Sequence, residues 1–269
     1  MDGSISWGIL RPPRTATAPG GRAIGEVLRS AWARLVRKQF LFVYPLVIGA
    51  IDGIAFFAVY AALGGRLTWT EFARADFGAG AYLHAHLAEL ARPGLPMLVA
   101  VAAGIGVCAL SAAVRAPFYR AIAGSSYPFA PRSWPEMGRL FSFYLVLYPV
   151  TRLLPDLFAA GTAAAVGGIA LLVVAVLVIF IDYAIVLEDL PVLAAVRRNL
   201  RVLRRGWAPT IAFFLTFVLL YNLVWGFYQS HFDGSFRALF PVSWFLVQTL
   251  FALIGDIAFI FLYDHLRRS

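Results

Sequence analysis

Three aspartates, Asp52, Asp182 and Asp256, stand inside long apolar runs of this sequence. A carboxylate at the middle of a bilayer costs about 2.5–3.5 kcal/mol on insertion scales, so each is by default a site for a ligand or a proton. The plainer role is a hydrogen bond to a neighbouring helix or to an arginine at the rim. Asp52 lies deepest, about twelve residues into its run, or roughly 18 Å at 1.5 Å per residue. Asp182 and Asp256 each lie about six or seven residues from the end of theirs.

Two carboxylates sharing a proton on facing spans would suit intramembrane aspartyl proteolysis. Asp256 follows Leu253-Ile254-Gly255, with leucine where a Gly-x-Gly-Asp signature has its first glycine, and there is no Pro-Ala-Leu segment. Proteolysis is therefore only a remote alternative. His84, His86, His231 and Asp233 offer nitrogen and oxygen donors, but no longer ligand pattern surrounds them, and a solvated loop is the expected reading. The sequence has no His-Glu-x-x-His, no Gly-x-Ser-x-Gly and no phosphate loop. One cysteine, Cys108, excludes an intrachain disulfide and any cysteine cage. The expectation is a non-enzymatic protein without metal or cofactor.

The elements that hold these residues follow from composition. Of the 269 residues 61% are apolar and 14% charged, where soluble domains run nearer half and a quarter. Apolar stretches fall at about 40–63, 95–114, 140–158, 162–187, 208–228 and 240–263. Each approaches the roughly 20 residues a helix needs to cross a bilayer. The predicted fold is an all-α polytopic bundle of six transmembrane helices in a single membrane domain. Residues 1–39 form a cytoplasmic segment, 40–263 the bundle and 264–269 a tail. The run from Phe40 is longer than the apolar part of a secretory signal and is expected to stay as a span.

With the N-terminus inside and six crossings, 18 of the 23 Lys and Arg residues fall on inner segments. The positive-inside rule then puts both termini in the cytoplasm. A nucleic-acid surface would not alternate in this way. Arginine outnumbers lysine 22 to one, the usage of a high-GC bacterial genome, which makes the bacterial cytoplasmic membrane the expected location.

Two inner segments carry apolar residues at steps of three and four beside basic ones. The first runs Ile24, Val27, Leu28, Ala31, Trp32 and Leu35, with Arg29, Arg37 and Lys38. The second runs Leu193, Val196, Leu200, Leu203 and Trp207, with Arg197, Arg198, Arg201, Arg204 and Arg205. That pattern predicts two amphipathic interfacial helices whose cations contact anionic lipid. Their likeness at a spacing of 168 residues hints at two related halves. Pro149 and Pro155 predict a kinked or broken third span. Small residues at four-residue steps, Gly104, Cys108 and Ala112 in the second span and Ala160, Ala164 and Gly168 in the fourth, predict that these two form the centre. The aromatic-rich spans are then expected to face lipid.

The run Asp182 to Asp189, followed by Val196-Arg197-Arg198-Asn199 and Arg204-Arg205-Gly206-Trp207, resembles a known pattern, as does Gly25-Glu26-Val27-Leu28 before the first basic helix. It is similar to poorly characterised bacterial six-span proteins related to the membrane domain attached to glycerophosphodiester phosphodiesterases. The resemblance implies topology and no catalytic residue, so the phosphodiesterase reaction is not carried over. The expected function is binding or moving a lipid or small amphiphile, or scaffolding a membrane partner, with membrane lipids or a second copy as partners. The alternative is a proton-coupled transporter using Asp52 and Asp256.

Overall fold

The structure, a computed structural model, describes residues 21–65, 86–124, 133–157, 162–231 and 240–268. Among them there are helices and no strands. Helix α1 (Gly21–Arg37) leads through a short 3-10 turn (Gln39–Phe42) into α2 (Val43–Ala62). After the one-turn α3 (Leu87–Leu90) come α4 (Leu95–Ala123), α5 (Ser133–Leu157), α6 (Thr162–Val178) and α7 (Ile181–Leu187). The chain closes with α8 (Val192–His231) and α9 (Phe240–Arg268).

Five helical stretches are long and apolar enough to cross a membrane: 39–62, 95–123, 166–187, 192–227 and 245–267. The third stretch expected from the sequence, now α5, is 25 residues long and falls outside that set. It runs helical from end to end, so its prolines do not break it.

The break falls instead in the fourth stretch, at Ile179-Phe180 between α6 and α7. Interrupting a helix in apolar surroundings frees backbone groups that must find other partners. Asn199 of α8, fully buried, supplies both: its Oδ1 accepts from the Phe180 N–H at 3.3 Å and its Nδ2 donates to the Leu177 carbonyl.

The second basic segment and the fifth expected span form one helix, α8, bent at Gly206 (φ −138°, ψ 40°). Pro209 removes one ladder donor, and its ring crowds the carbonyl of Arg205, four residues earlier, which places the bend here. Leu266 of α9 fills the space a Cβ on Gly206 would need.

Burial is concentrated at the end of the bundle that carries Arg120, Arg139, Arg198 and Arg267. The C-terminal half of α4, most of α7 and residues 253–266 of α9 supply most of the core. Its aromatic centre joins Tyr119 edge-on to Tyr183 at 4.9 Å, and Phe180 to Tyr263 at 5.4 Å. The expected centre is therefore half corrected. Cys108, Ala112 and Ala116 of α4 are buried as small residues at a close approach should be. In α6, by contrast, Val166, Ile169 and Val173 are exposed and nothing touches the Gly168 position. The aromatic-rich α9, expected against lipid, lies inside, with Phe259 and Tyr263 buried. Ring area and the hydroxyl handles of tyrosine explain the exchange, since the Tyr119, Tyr183 and Tyr263 hydroxyls each have a carboxylate to meet.

Candidate ligand cavity

A cavity of about 370 Å³ opens between α2, α4, α5 and α7. Ile48, Val107, Cys108 and Leu147 give it apolar wall; Asp52, Ser111, Arg115, Tyr144, Tyr148, Thr151 and Asp182 give it polar wall. Asp52 is the tenth of the twenty residues of α2, at mid-helix, and its surface remains exposed. Asp182 is the second residue of α7, two places after the break at Ile179-Phe180, and its carboxylate meets Tyr119 of α4 and Tyr144 of α5.

Arg115 is the residue sequence reasoning misplaced. Ending the second span at 114 put this arginine on an inner loop, but α4 continues for eight residues beyond it. The helix stops where Gly124 takes φ +101°, a left-handed conformation suited to glycine at a helix end. The apolar run Ala121-Ile122-Ala123 before that glycine was the available signal, obscured by Arg115, Pro117 and Arg120. Arg115 thus enters the bundle and pairs with Asp182 at 3.8 Å, the two side chains 32% and 14% exposed.

Tyrosines complete the arrangement. Arg115 Nη1 donates to the Tyr119 hydroxyl at 2.9 Å, which donates to Asp182 Oδ2 at 3.0 Å. Tyr144 donates to the same oxygen at 3.5 Å, and the Arg115 guanidinium lies 5.7 Å from the Tyr144 ring centre. Tyr183, the residue after Asp182, donates to Asp256 Oδ1 on α9 at 3.1 Å. The three aspartates are thereby divided. Asp52 and Asp182 share the cavity, and Asp256 sits behind it, linked through the Tyr183–Tyr119 ring contact. Asp182 and Asp256 each engage tyrosines, a different geometry from two carboxylates sharing one proton.

Below the cavity, ion pairs tie the basic end. Glu188 accepts from Arg198 at 2.9 Å and from the Tyr263 hydroxyl at 2.5 Å, with Arg267 at 3.8 Å. Arg139 meets Asp189 at 2.6 Å, and Arg120 meets Glu136. Glu136 is buried with its second oxygen unpartnered, and burial raises its pKa against the opposing pull of Arg120.

The cations expected at anionic lipid separate into two groups. Arg29, Arg37, Arg197, Arg201, Arg204 and Arg205 are exposed. On α8 they stand beside an exposed apolar flank of Leu193, Leu200 and Trp207, with Leu193 76% and Trp207 64% exposed. Arg198 is turned to Glu188. Lys38 donates to the carbonyl of Ala121 in the last turn of α4, where a cation is favoured, and burial and then Arg34 lower its pKa. Among the described residues no group of three or more His, Cys, Asp or Glu is placed to hold a metal. His84 and Asp233 lie outside the described residues, as does the side chain of His231.

No protein-family model matches the sequence, and comparison with curated proteins and with solved structures finds no match.

Proposed function

We propose that the chain is a non-enzymatic multi-pass protein of the bacterial cytoplasmic membrane that binds or moves a lipid or another small amphiphile through the cavity between α2, α4, α5 and α7. It crosses six times, with α5 as the additional span and both described ends on the cytoplasmic side. The observation that carries the reading is the cavity itself. Its volume of about 370 Å³ falls in the range of small-ligand sites, and its wall divides between apolar and polar side chains as an amphiphile does. The exposed arginines and apolar flank of α8 support contact with anionic head groups beside it. The likeness to membrane domains of glycerophosphodiester phosphodiesterases is compatible with this reading and adds no reaction.

Native mass spectrometry of protein purified in a neutral detergent tests it. A retained amphiphile that is lost on filling the cavity with Leu147→Trp is expected. Absence of any retained molecule, or one that Leu147→Trp leaves in place, removes the proposal.

A second reading, proton-coupled transport using Asp52 and Asp256, is favoured by the tyrosine link between Asp256 and the cavity's Asp182. Uptake of the retained amphiphile into proteoliposomes should then follow a pH gradient and fail in Asp52→Asn. Uptake that ignores both counts against it.

A further inference from the structure

Helix α1 is fixed to the bundle on one side and leaves a groove on the other. Inward, Ala31 is buried, the Arg34 guanidinium lies 6.0 Å from the Phe261 ring centre of α9, and Lys38 donates to the Ala121 carbonyl of α4 at 3.1 Å. Two basic residues of this segment are thereby turned to protein. Outward, a groove of about 320 Å³ opens at the corner between α1 and α2. Trp32, Leu35, Val36 and Phe42 line it, with Gln39 as the one polar residue of its described wall.

The level of the groove in the bilayer follows from the chain. Residues 39–62 make an apolar stretch of 24, about 36 Å long at 1.5 Å per residue, against roughly 30 Å of hydrocarbon. The first turn of that stretch, Gln39–Phe42, therefore falls at the boundary between acyl chains and head groups. Trp32, 57% exposed, suits that boundary by residue type.

Charge then names the occupant. Residues 21–38 carry five cations, Arg22, Arg29, Arg34, Arg37 and Lys38, against one acid, Glu26. Arg29 and Val36, seven residues apart, share a line along the helix, and Arg37 follows Val36. Both arginines are exposed, and among the described residues neither is held in an ion pair. An apolar groove edged by two such guanidiniums matches a lipid of the same two parts, a hydrocarbon chain and a negative head. A neutral lipid would leave the cations unmatched, and free phosphate would leave the groove unfilled.

We infer that the corner between α1 and α2 binds an anionic phospholipid, one acyl chain against Trp32, Val36 and Phe42 and the phosphate beside Arg29 and Arg37. The site shares no residue with the cavity between α2, α4, α5 and α7, and it stands whether or not that cavity is occupied.

The test places the full chain in phosphatidylcholine vesicles holding a minority of phosphatidylglycerol, with bromine on the acyl chains of one lipid or the other. Bromine quenches indole fluorescence on contact, and the difference between wild type and Trp32→Phe isolates Trp32. Brominated phosphatidylglycerol should quench Trp32 as though enriched about fivefold or more beside it, since each arginine near anionic lipid is worth about that factor. Arg29→Gln with Arg37→Gln should bring the enrichment to about one, whereas Arg29→Lys with Arg37→Lys should keep it. Glycerol phosphate in the buffer, which has the charge and no chains, should not displace the lipid. A matching unfolding temperature for the glutamine pair establishes that its loss is local; if that pair does not fold, each glutamine change alone should lower the enrichment part-way. Equal enrichment of the two lipids, enrichment that survives the glutamine changes, or displacement by glycerol phosphate overturns the assignment. A Trp32 that neither brominated lipid quenches means that protein covers the groove, from a second copy or from this chain, and overturns it as well.

Discussion

Arg115 carries more of this molecule's interior than any of the aspartates that first drew attention to it. It binds Asp182, donates to Tyr119 and lies over Tyr144, joining three elements with one side chain. Removing one member of a partly buried, hydrogen-bonded ion pair leaves the other poorly matched, at about 1–3 kcal/mol. Asp182→Ala should therefore lower unfolding stability in detergent by about that amount, whereas replacing Arg115 and Asp182 together by apolar residues should cost much less. A double-mutant cycle reads the difference. The aspartates were legible because acids are rare in apolar runs. Their partners were not, because tyrosine is common in any membrane helix and an arginine near a span's end looks like its terminus.

At the basic end, Glu136 gives a pH dependence of definite sign. Its folded-state pKa is raised above the ordinary 4.5, chiefly by burial, so the folded chain holds the proton more tightly than the unfolded one. Its contribution is complete below pH 4.5 and is lost as pH rises through the higher folded value. Unfolding followed at a series of pH values should show wild-type stability declining across that window, and Glu136→Gln should flatten the decline.

At the scale of elements, two irregularities shape the bundle, and neither was anticipated from the sequence. The basic helix and the fifth span were expected as separate elements, with Pro209 harmless near the start of the span, whereas α8 runs through both and bends at Gly206. The interruption between α6 and α7 contains neither glycine nor proline: Ile179-Phe180 is as apolar as its neighbours. What permits it is Asn199, nineteen residues on in the chain from Phe180 and legible only once α8 is packed against the gap. Asn199→Ala should destabilise the fold by roughly 1–3 kcal/mol, since it leaves a buried N–H and a carbonyl unmet. The effect should appear first as faster hydrogen exchange at Phe180. Gly206→Ala should cost about 1–3 kcal/mol by pressing on Leu266, and Leu266→Ala should relieve part of that loss. Conversely, Pro149 and Pro155 lie in an uninterrupted α5: proline removes one donor, and neighbouring side chains or a small adjustment absorb it.

For the whole molecule, topology is the property that the positive charges specify and that labelling decides. In a Cys108→Ala background, Ser30→Cys on α1 and His265→Cys on α9, both at exposed positions, should react with a membrane-impermeant thiol reagent from the same side of the bilayer. Reaction from opposite sides would mean an odd number of crossings and would exclude α5 as a span. Membrane character was plain from composition, and the helical fold followed from it. The arrangement of the bundle was not, because lipid-facing and protein-facing positions are both apolar and the pattern that separates them in soluble proteins is lost.

The uneven distribution of the core has a mechanical consequence. At the arginine-rich end, ion pairs and edge-on or tilted ring contacts lock the helices to one another. Toward the other, Ile54, Leu98, Val101, Leu219 and Leu223 point outward with little protein around them. Acyl chains must supply there the cohesion that side chains supply at the tied end. Thinner or thicker bilayers would consequently spread or gather the loose ends about a fixed base, making the host lipid a determinant of how wide the molecule stands open.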